Sequence, residues 1–316
     1  MSRVPPTLSR PSVPVGPLHA TPLAAIEMRS IEWLENPLWQ RSAFQLLAGA
    51  KGSGKGTYLA GLAARVSQHA NVLFVSSEDS AGIDLKPRLV AAGANIGRCS
   101  IIAQHVKLPE HVDELRRLAL ELGGVDLLVI DPVANHIGDS NSNSEAEVRN
   151  AIAPLNRLAD ELHCLLIGVR HPGKDRSRGA VASILGSTAW TDTPRAVVMI
   201  AVDDEDDLLR HVQVVAGNRS LNGGAQAFRI EAVDVQGLTE PITRAVELGD
   251  SLKNVDTLLA AASSQKPSSS SDEARELILD LLDTEGTQES DALDAQVALT
   301  RTPSRSTLQA AVFCSR

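Results

Sequence analysis

The residues best suited to chemistry lie between Leu47 and Ala64, where a glycine-rich turn runs into an amphipathic helical pattern. Gly49, four further residues, Gly54 and Lys55 match the spacing G-x-x-x-x-G-K. In that arrangement backbone N–H groups surround phosphate oxygens, and the following helix presents its positive end to them. The stretch therefore predicts a phosphate-binding loop, although a purely structural glycine turn is the alternative. Its candidate binding residues are consecutive: Gly49, Ala50, Lys51, Gly52, Ser53, Gly54, Lys55, Gly56, Thr57 and Tyr58.

One position of this loop departs from the usual pattern. Gly56 stands where Ser or Thr is expected, and the missing hydroxyl is the one that normally binds the magnesium of a nucleotide. Thr57 follows at once, so we take Thr57 as a candidate Mg²⁺ ligand and expect water to help complete the coordination sphere.

Polar residues follow three further apolar runs, each typical of a buried strand. The run NVLFV leads to Glu78, the run VDLLVI leads to Asp131, and the run CLLIGV leads to Arg170 and His171. Because ligands of an open parallel sheet bind at the carboxyl ends of its strands, we expect these side chains to face the phosphate-binding loop. Asp131 would then hold magnesium directly or through water, and His171 would sense or polarise a terminal phosphate. The alternatives are that Glu78 and His171 only cap helices or pack at the rim of the core.

A basic segment comes directly after His171. Lys174, Arg176 and Arg178 lie in a glycine-containing loop of the kind that can follow a nucleic-acid backbone, although an ordinary solvated loop has the same composition. The net charge of −9 argues against a protein that coats nucleic acid with a static basic face. It does not argue against a ring-shaped translocase, which needs basic residues only on its pore loops.

The composition divides the chain into four parts. Residues 1–20 are rich in proline and serine and predict a disordered leader, residues 21–248 the domain that carries the phosphate-binding loop, 249–272 a linker, and 273–316 a small helical or incomplete winged-helix module. Trp33 and Trp39 either pack the start of the domain against the core or flank an adenine ring. No apolar stretch approaches membrane-spanning length and no secretory signal is evident, so we expect a cytoplasmic protein without membrane contact.

Five segments together carry a resemblance to a known family: GAKGSGKGT, VSSEDS, LLVIDPVANHIG, LIGVRHPGK and ILGSTAWTDTPRAV. Over residues 24 to 240 the chain resembles the RepA-like branch of the RecA-type ATPases, the hexameric replicative helicases of plasmids and phages with related AAA-family proteins. The resemblance implies an α/β fold, a RecA-like P-loop NTPase core whose mostly parallel sheet is flanked by helices, with the C-terminal appendage beyond it. It also implies ATP and Mg²⁺ as cofactors, a homo-oligomer with a hexameric ring, single-stranded DNA as a partner, and contact with replication proteins.

The same resemblance implies roles for the site residues. Lys55 would bind the β- and γ-phosphates, and Asp131 would be the second acidic residue of the nucleotide site. Glu78 would orient the attacking water, and His171 would report the γ-phosphate to the basic loop.

The resemblance offers two alternatives for an arginine donated to a neighbouring subunit. Arg195 matches the position of the arginine finger in RepA-like proteins, whereas Arg219 matches the finger position of the related DnaB-type helicases. Those helicases carry a lysine two residues earlier, where this chain has Gly217.

Two other functions remain open at this point. The chain could be a regulatory or DNA-binding module that binds ATP as a switch with little turnover. It could also be a nucleotide kinase, since GSGKGT is similar to the phosphate loop of adenylate kinases, although those enzymes normally carry the loop almost at the N-terminus.

Overall fold

The structure is a computed structural model that describes residues 20–28, 30–137, 144–171, 187–217 and 224–264. The chain divides into two compact units, Met1–Glu32 and Trp33–Arg316. The described part of the first unit contains one turn of 3-10 helix, Leu23–Ala25. The second unit contains all the other elements, and the following paragraphs concern it alone.

The strands are short and, in the centre of the sheet, fully buried. They are β1 (Trp33–Glu35), β2 (Trp39–Gln40), β3 (Ala43–Gly49), β4 (Val72–Ser76), β5 (Cys99–Ile102), β6 (Leu127–Asp131), β7 (Leu165–Arg170), β8 (Ala196–Val202), β9 (Leu209–Gly217), β10 (Ala225–Val233) and β11 (Ile242–Ser251). The helices are α1 (Lys55–Val66), α2 (Lys86–Ala91), α3 (Val112–Glu121), α4 (Glu145–Glu161), α5 (Ala189–Asp192) and α6 (Val255–Ser264). A π-helical turn, Ala81–Leu85, precedes α2, and 3-10 turns span Ile96–Arg98 and Val133–His136.

The main sheet has nine strands in the order β11-β10-β9-β8-β3-β7-β6-β4-β5, and β1 pairs with β2 separately. From β8 to β5 every neighbouring pair is parallel, whereas β8, β9, β10 and β11 pair in antiparallel fashion. The prediction of an α/β fold with a mostly parallel sheet is therefore confirmed. The predicted C-terminal appendage lies outside the described residues, as does the predicted leader up to residue 19.

Alternation of side chains along the central strands supplies two separate cores. On β3, Phe44 and Leu46 point into the core on one face of the sheet, and Leu47 points into the core on the other. Helix α4 covers the first face with buried apolar residues, and α1 covers the second. The chain passes from β3 in the centre of the sheet to α1 on its second face, and the glycine-rich loop is the turn that joins them.

The antiparallel part of the sheet is tied to the end of the domain by a buried polar cluster. His211 Nε2 lies 2.7 Å from Asp203 Oδ2, and His211 Nδ1 lies 2.8 Å from Ser251 Oγ. Lys253 Nζ lies 2.9 Å from the same Asp203 carboxylate, and this ion pair and its hydrogen bonds hold the pKa of Asp203 well below its usual range. The acidic run from Asp203 to Asp207 lies in the connection between β8 and β9, which pair in antiparallel fashion.

The linker was predicted to begin at residue 249, but the chain forms regular structure there. Residues 249–251 belong to β11, and α6 follows with Val255, Leu258 and Leu259 buried against the sheet. Burial of three apolar side chains stabilises this helix where the composition alone had indicated a linker. The rest of the predicted linker lies outside the described residues.

Membrane association was not expected, and the structure gives one observation on this point. Within the described ranges, no helix has the length and apolar character needed to span a bilayer.

Candidate functional site

The predicted site residues meet at the carboxyl ends of the parallel strands. Ser76 at the end of β4 is in register with Asp131 at the end of β6, and Glu78 follows β4. His171 follows β7, which lies between β6 and the loop-bearing strand β3. Lys55, Glu78, Asp131 and His171 line a single cavity of about 450 Å³. The structure thus brings together side chains that were assigned to one site on sequence grounds.

The loop between β3 and α1 needs glycine at two positions for its backbone shape. Gly52 and Gly54 have φ angles of 80° and 89°, which lie in the left-handed region that disfavours side chains. Gly54 is also the residue before the first turn of α1, so its conformation turns the N-terminal amides of the helix toward the cavity. This geometry provides backbone donors for an anion, as the spacing predicted.

Lys55 lies at the base of this loop and is almost completely buried. Its Nζ donates hydrogen bonds to the carbonyl oxygens of Gly49 at 2.8 Å and of Ala50 at 3.0 Å. Burial lowers the pKa of Lys55 to about 8, although the carboxylates of Asp131 and Glu78 oppose the shift. Lys55 is therefore protonated at neutral pH and loses its charge in a mildly alkaline solution.

This titration predicts how phosphate binding changes with pH. Above pH 8, we expect triphosphate affinity to fall by about tenfold per pH unit, because the neutral amine that then predominates lacks the charge that pairs with phosphate. Lys55→Arg provides the control, since arginine keeps its charge throughout this range and its binding profile should be flat. Equilibrium binding of a fluorescent ATP analogue from pH 7 to 9.5 measures both profiles. Equal slopes for the two proteins would contradict the assignment of Lys55 as the phosphate-binding cation.

Asp131 is the most perturbed carboxylate of the cavity. Desolvation, together with the negative charges of Asp79 and Glu78, raises the pKa of Asp131 to about 7, although Lys55 and Arg88 act in the opposite sense. Three carboxylates and two cations are thus grouped around the space where the phosphates would lie. Such perturbed groups in a cleft are typical of functional sites.

Glu78 projects from the end of β4 and is held by a residue that the sequence did not single out. Asn135, in the 3-10 turn after β6, donates from Nδ2 to Glu78 Oε1 at 3.0 Å. His171 Nε2 lies 3.7 Å from Glu78 Oε2, and burial lowers the pKa of His171, so this imidazole is neutral at pH 7. Asn135 lies within the segment that carried the family resemblance, but only the fold shows that its amide faces Glu78.

The comparisons with known proteins agree with this geometry. A family model described as an AAA domain matches residues 10–177. The chain belongs to this family. The matched residues contain the glycine-rich loop, Glu78, Asp131 and His171, and the match supports a P-loop NTPase. A comparison with curated proteins finds no match.

The loop residues that were expected to bind magnesium are poorly placed to do so. Gly56 offers no side chain, and the Thr57 hydroxyl is hydrogen-bonded to the Thr243 hydroxyl at 3.1 Å. Successive helix residues point about 100° apart, so Thr57 does not replace a hydroxyl at position 56. The space beside Gly56 is taken by Arg88, whose Nη1 would lie 3.1 Å from a Cβ built there. Asp131 alone remains of the predicted metal ligands.

The antiparallel strands supply a wall of the site that sequence reasoning missed. Arg210 on β9, Ile230 on β10 and Thr243 on β11 line the same cavity as the AAA domain's phosphate loop. Ile230 packs so closely on the loop that its Cδ1 would lie 2.8 Å from a Cβ at Gly54. Burial lowers the pKa of Arg210, and its Nε is buried without a hydrogen-bond partner among the described residues.

Two aromatic predictions change with the structure. Tyr58, predicted to bind the nucleotide, is buried in the core, where its hydroxyl accepts a hydrogen bond from Trp39 Nε1 at 2.9 Å and its ring packs against Phe228. Trp39 is fully buried as well, which leaves packing as its role rather than contact with an adenine ring.

Arg195 lies near the amino ends of the parallel strands, whereas the cavity lies at their carboxyl ends. It precedes β8, and its backbone N–H donates to the carbonyl oxygen of Phe44 at 2.8 Å, near the start of β3 rather than its end. Its side chain is exposed. Arg219 and the basic residues Lys174, Arg176 and Arg178 lie outside the described residues, so their predicted roles stay predictions.

Proposed function

We propose that this protein is an oligomeric ATPase that acts on DNA, either a replicative helicase of plasmid or phage type or a helicase-like replication factor. The observation that carries the proposal is the shared cavity of Lys55, Glu78, Asp131 and His171 beside the glycine loop. These side chains supply the parts that phosphoryl transfer to water requires, namely charge compensation, an oriented nucleophile and a group that contacts the terminal phosphate.

The chain's own residues would act in the following way. The N-terminal amides of α1 and the Lys55 ammonium bind the phosphates, and Lys55 then exchanges its hydrogen bonds to Gly49 and Ala50 for phosphate oxygens. Asn135 holds Glu78 so that its carboxylate orients a water and accepts a proton from it. His171, neutral and 3.7 Å from Glu78, donates or accepts a hydrogen bond at the terminal phosphate and moves with it.

The position of Arg195 supports an oligomer. Arg195 is exposed at the amino end of β8, and the length of this strand separates it from the cavity of the same chain. Within one chain it would therefore take no part in hydrolysis. In a ring of head-to-tail subunits, one edge of each protein faces the opposite edge of its neighbour, and Arg195 would enter the neighbouring site. The proposed assembly is a homo-oligomeric ring, hexameric as in RepA-like helicases.

The link to DNA rests on the order of residues along the chain. The basic segment with Lys174, Arg176 and Arg178 begins shortly after His171 in the sequence, so a shift of this histidine would reach the segment through a few peptide bonds. Single-stranded DNA bound along such a loop would be moved when the phosphate contact changes.

Phosphate release from ATP, measured with and without single-stranded DNA, tests the proposal. We expect DNA to raise the rate, and we expect the mass in solution to increase to that of a multimer when ATP and DNA are both present. Tight ATP binding without turnover would favour a nucleotide-binding switch, an alternative that the missing hydroxyl at Gly56 supports. ADP formation that depends on AMP would favour a nucleotide kinase instead.

A further inference from the structure

An arginine stands beside the phosphate loop at the place where P-loop proteins carry a magnesium-binding hydroxyl. A Cβ built on Gly56 would lie 3.1 Å from Arg88 Nη1 and 3.8 Å from Arg88 Cζ. A Cβ at this position would come a few tenths of an ångström too close to Nη1, so a serine or threonine there would require the guanidinium to shift. Glycine at position 56 and arginine at position 88 are sterically complementary.

The guanidinium is held in place from several sides. Arg88 Nη1 donates to Asp79 Oδ2 at 2.5 Å, and Nη2 lies 3.6 Å from Asp84 Oδ1. Arg88 belongs to α2, whose buried residues Pro87 and Leu89 fix that helix against the domain. The arginine lines the same cavity as Lys55 and Asp131. Since a guanidinium has five N–H donors, several remain for an anion in that cavity.

Charge compensation explains what this arrangement can do. In most P-loop sites a divalent cation neutralises part of the triphosphate charge beside the loop hydroxyl. Here the positive charge of Arg88, held by Asp79, lies at that position and can supply part of the charge compensation that a metal ion provides elsewhere. The Thr57 hydroxyl, the other nearby oxygen, is engaged with Thr243.

We propose that Arg88 binds the β- and γ-phosphate oxygens in place of magnesium, so that the site takes free nucleoside triphosphate almost as well as its magnesium complex. Asp79 acts as a positioning residue, because it holds the guanidinium beside Gly56. The proposal deepens the proposed function and rests on it, since it concerns the same nucleotide site. It makes a claim about binding, and it leaves the requirements of the hydrolytic step open.

The test compares the affinity of the full-length protein for a fluorescent ATP analogue in excess EDTA and in excess magnesium. For the wild type we expect the two dissociation constants to agree within about threefold, since the charged hydrogen bonds come from Arg88 in both buffers. For Arg88→Ala we expect affinity in EDTA to fall by about ten- to a hundredfold, the usual effect of losing a charged hydrogen bond. Arg149→Ala, which removes a surface arginine from an i,i+4 ion pair on α4, is the control and should change neither value.

A double variant tests the steric complementarity directly. Gly56→Ser combined with Arg88→Ala restores the usual loop and should bind the analogue well in magnesium and poorly in EDTA. The wild-type comparison needs no variant to fold, so the proposal can fail on that measurement alone. A tenfold or greater loss of wild-type affinity in EDTA would overturn it while leaving the proposed ATPase intact. No wild-type binding in either buffer would overturn the proposed function and this inference together.

Discussion

Replacing Glu78 by glutamine should leave nucleotide binding nearly unchanged and should lower the rate of ATP hydrolysis by about 10²- to 10⁴-fold, the usual contribution of a positioned general base. The glutamine side chain keeps the shape of glutamate and an oxygen that can accept the hydrogen bond from Asn135. It cannot take a proton from water, so only the chemical step should suffer. Single-turnover hydrolysis and equilibrium binding, measured on the same preparation, separate the two effects.

The matched control for Glu78 is Glu121 on α3. The two side chains are similarly exposed, at 54% and 56%, but Glu121 forms an i,i+4 ion pair with Arg117 and does not line the cavity. Glu121→Gln should hydrolyse ATP at the wild-type rate. Equal hydrolysis by Glu78→Gln and the wild type would remove Glu78 from the reaction.

Arg195→Ala should lower ATP hydrolysis by about 10³- to 10⁵-fold if this arginine acts in a neighbouring site, as arginine fingers do elsewhere. Lys55→Ala should be inactive for a different reason, because it loses the phosphate-binding cation. Each variant lacks a different half of a site that is formed between two subunits. Mixing the two inactive proteins should therefore restore activity, even though neither component hydrolyses ATP on its own.

The size of this recovery can be estimated from the geometry of a ring. With equal amounts of the two variants and random assembly, about one interface in four joins an intact Lys55 to an intact Arg195. Recovery should then approach about a quarter of wild-type activity if the sites work independently. The control mixture contains Arg195→Ala with the double variant Lys55→Ala, Arg195→Ala, and it should stay inactive because no subunit supplies the arginine. If the first mixture also stays inactive, the assignment of Arg195 to a shared site is wrong.

Local sequence patterns were sufficient for the central part of the fold and for the residues at the strand ends. Apolar runs identified β4, β6 and β7, and parallel pairing then requires that their carboxyl ends meet. The position of Asp131 beside Lys55 follows from that rule alone. Its raised pKa follows from the burial and from the neighbouring carboxylates that the same rule gathers.

The residues that the sequence did not reveal act through contacts between distant parts of the chain. Arg88 carries no motif, and its relation to Gly56 becomes visible only when α2 lies against α1. Asn135 and Arg210 are ordinary polar residues in a turn and a strand until the fold directs them at the cavity. β11 escaped prediction because its segment, ITRAVELGDS, has half-exposed and charged positions without strict alternation, as edge strands often do.

The contact between Thr57 and Thr243 spans 186 residues of sequence, and it joins the first helix of the site to the last strand of the sheet. During synthesis on the ribosome, the phosphate loop emerges long before β11 exists, so the cavity has no outer wall until nearly the whole described domain has been made. Contacts of such high sequence separation form late in folding. ATP should therefore stabilise the finished domain but not its nascent forms, which delays nucleotide capture until the polypeptide is committed to its final fold.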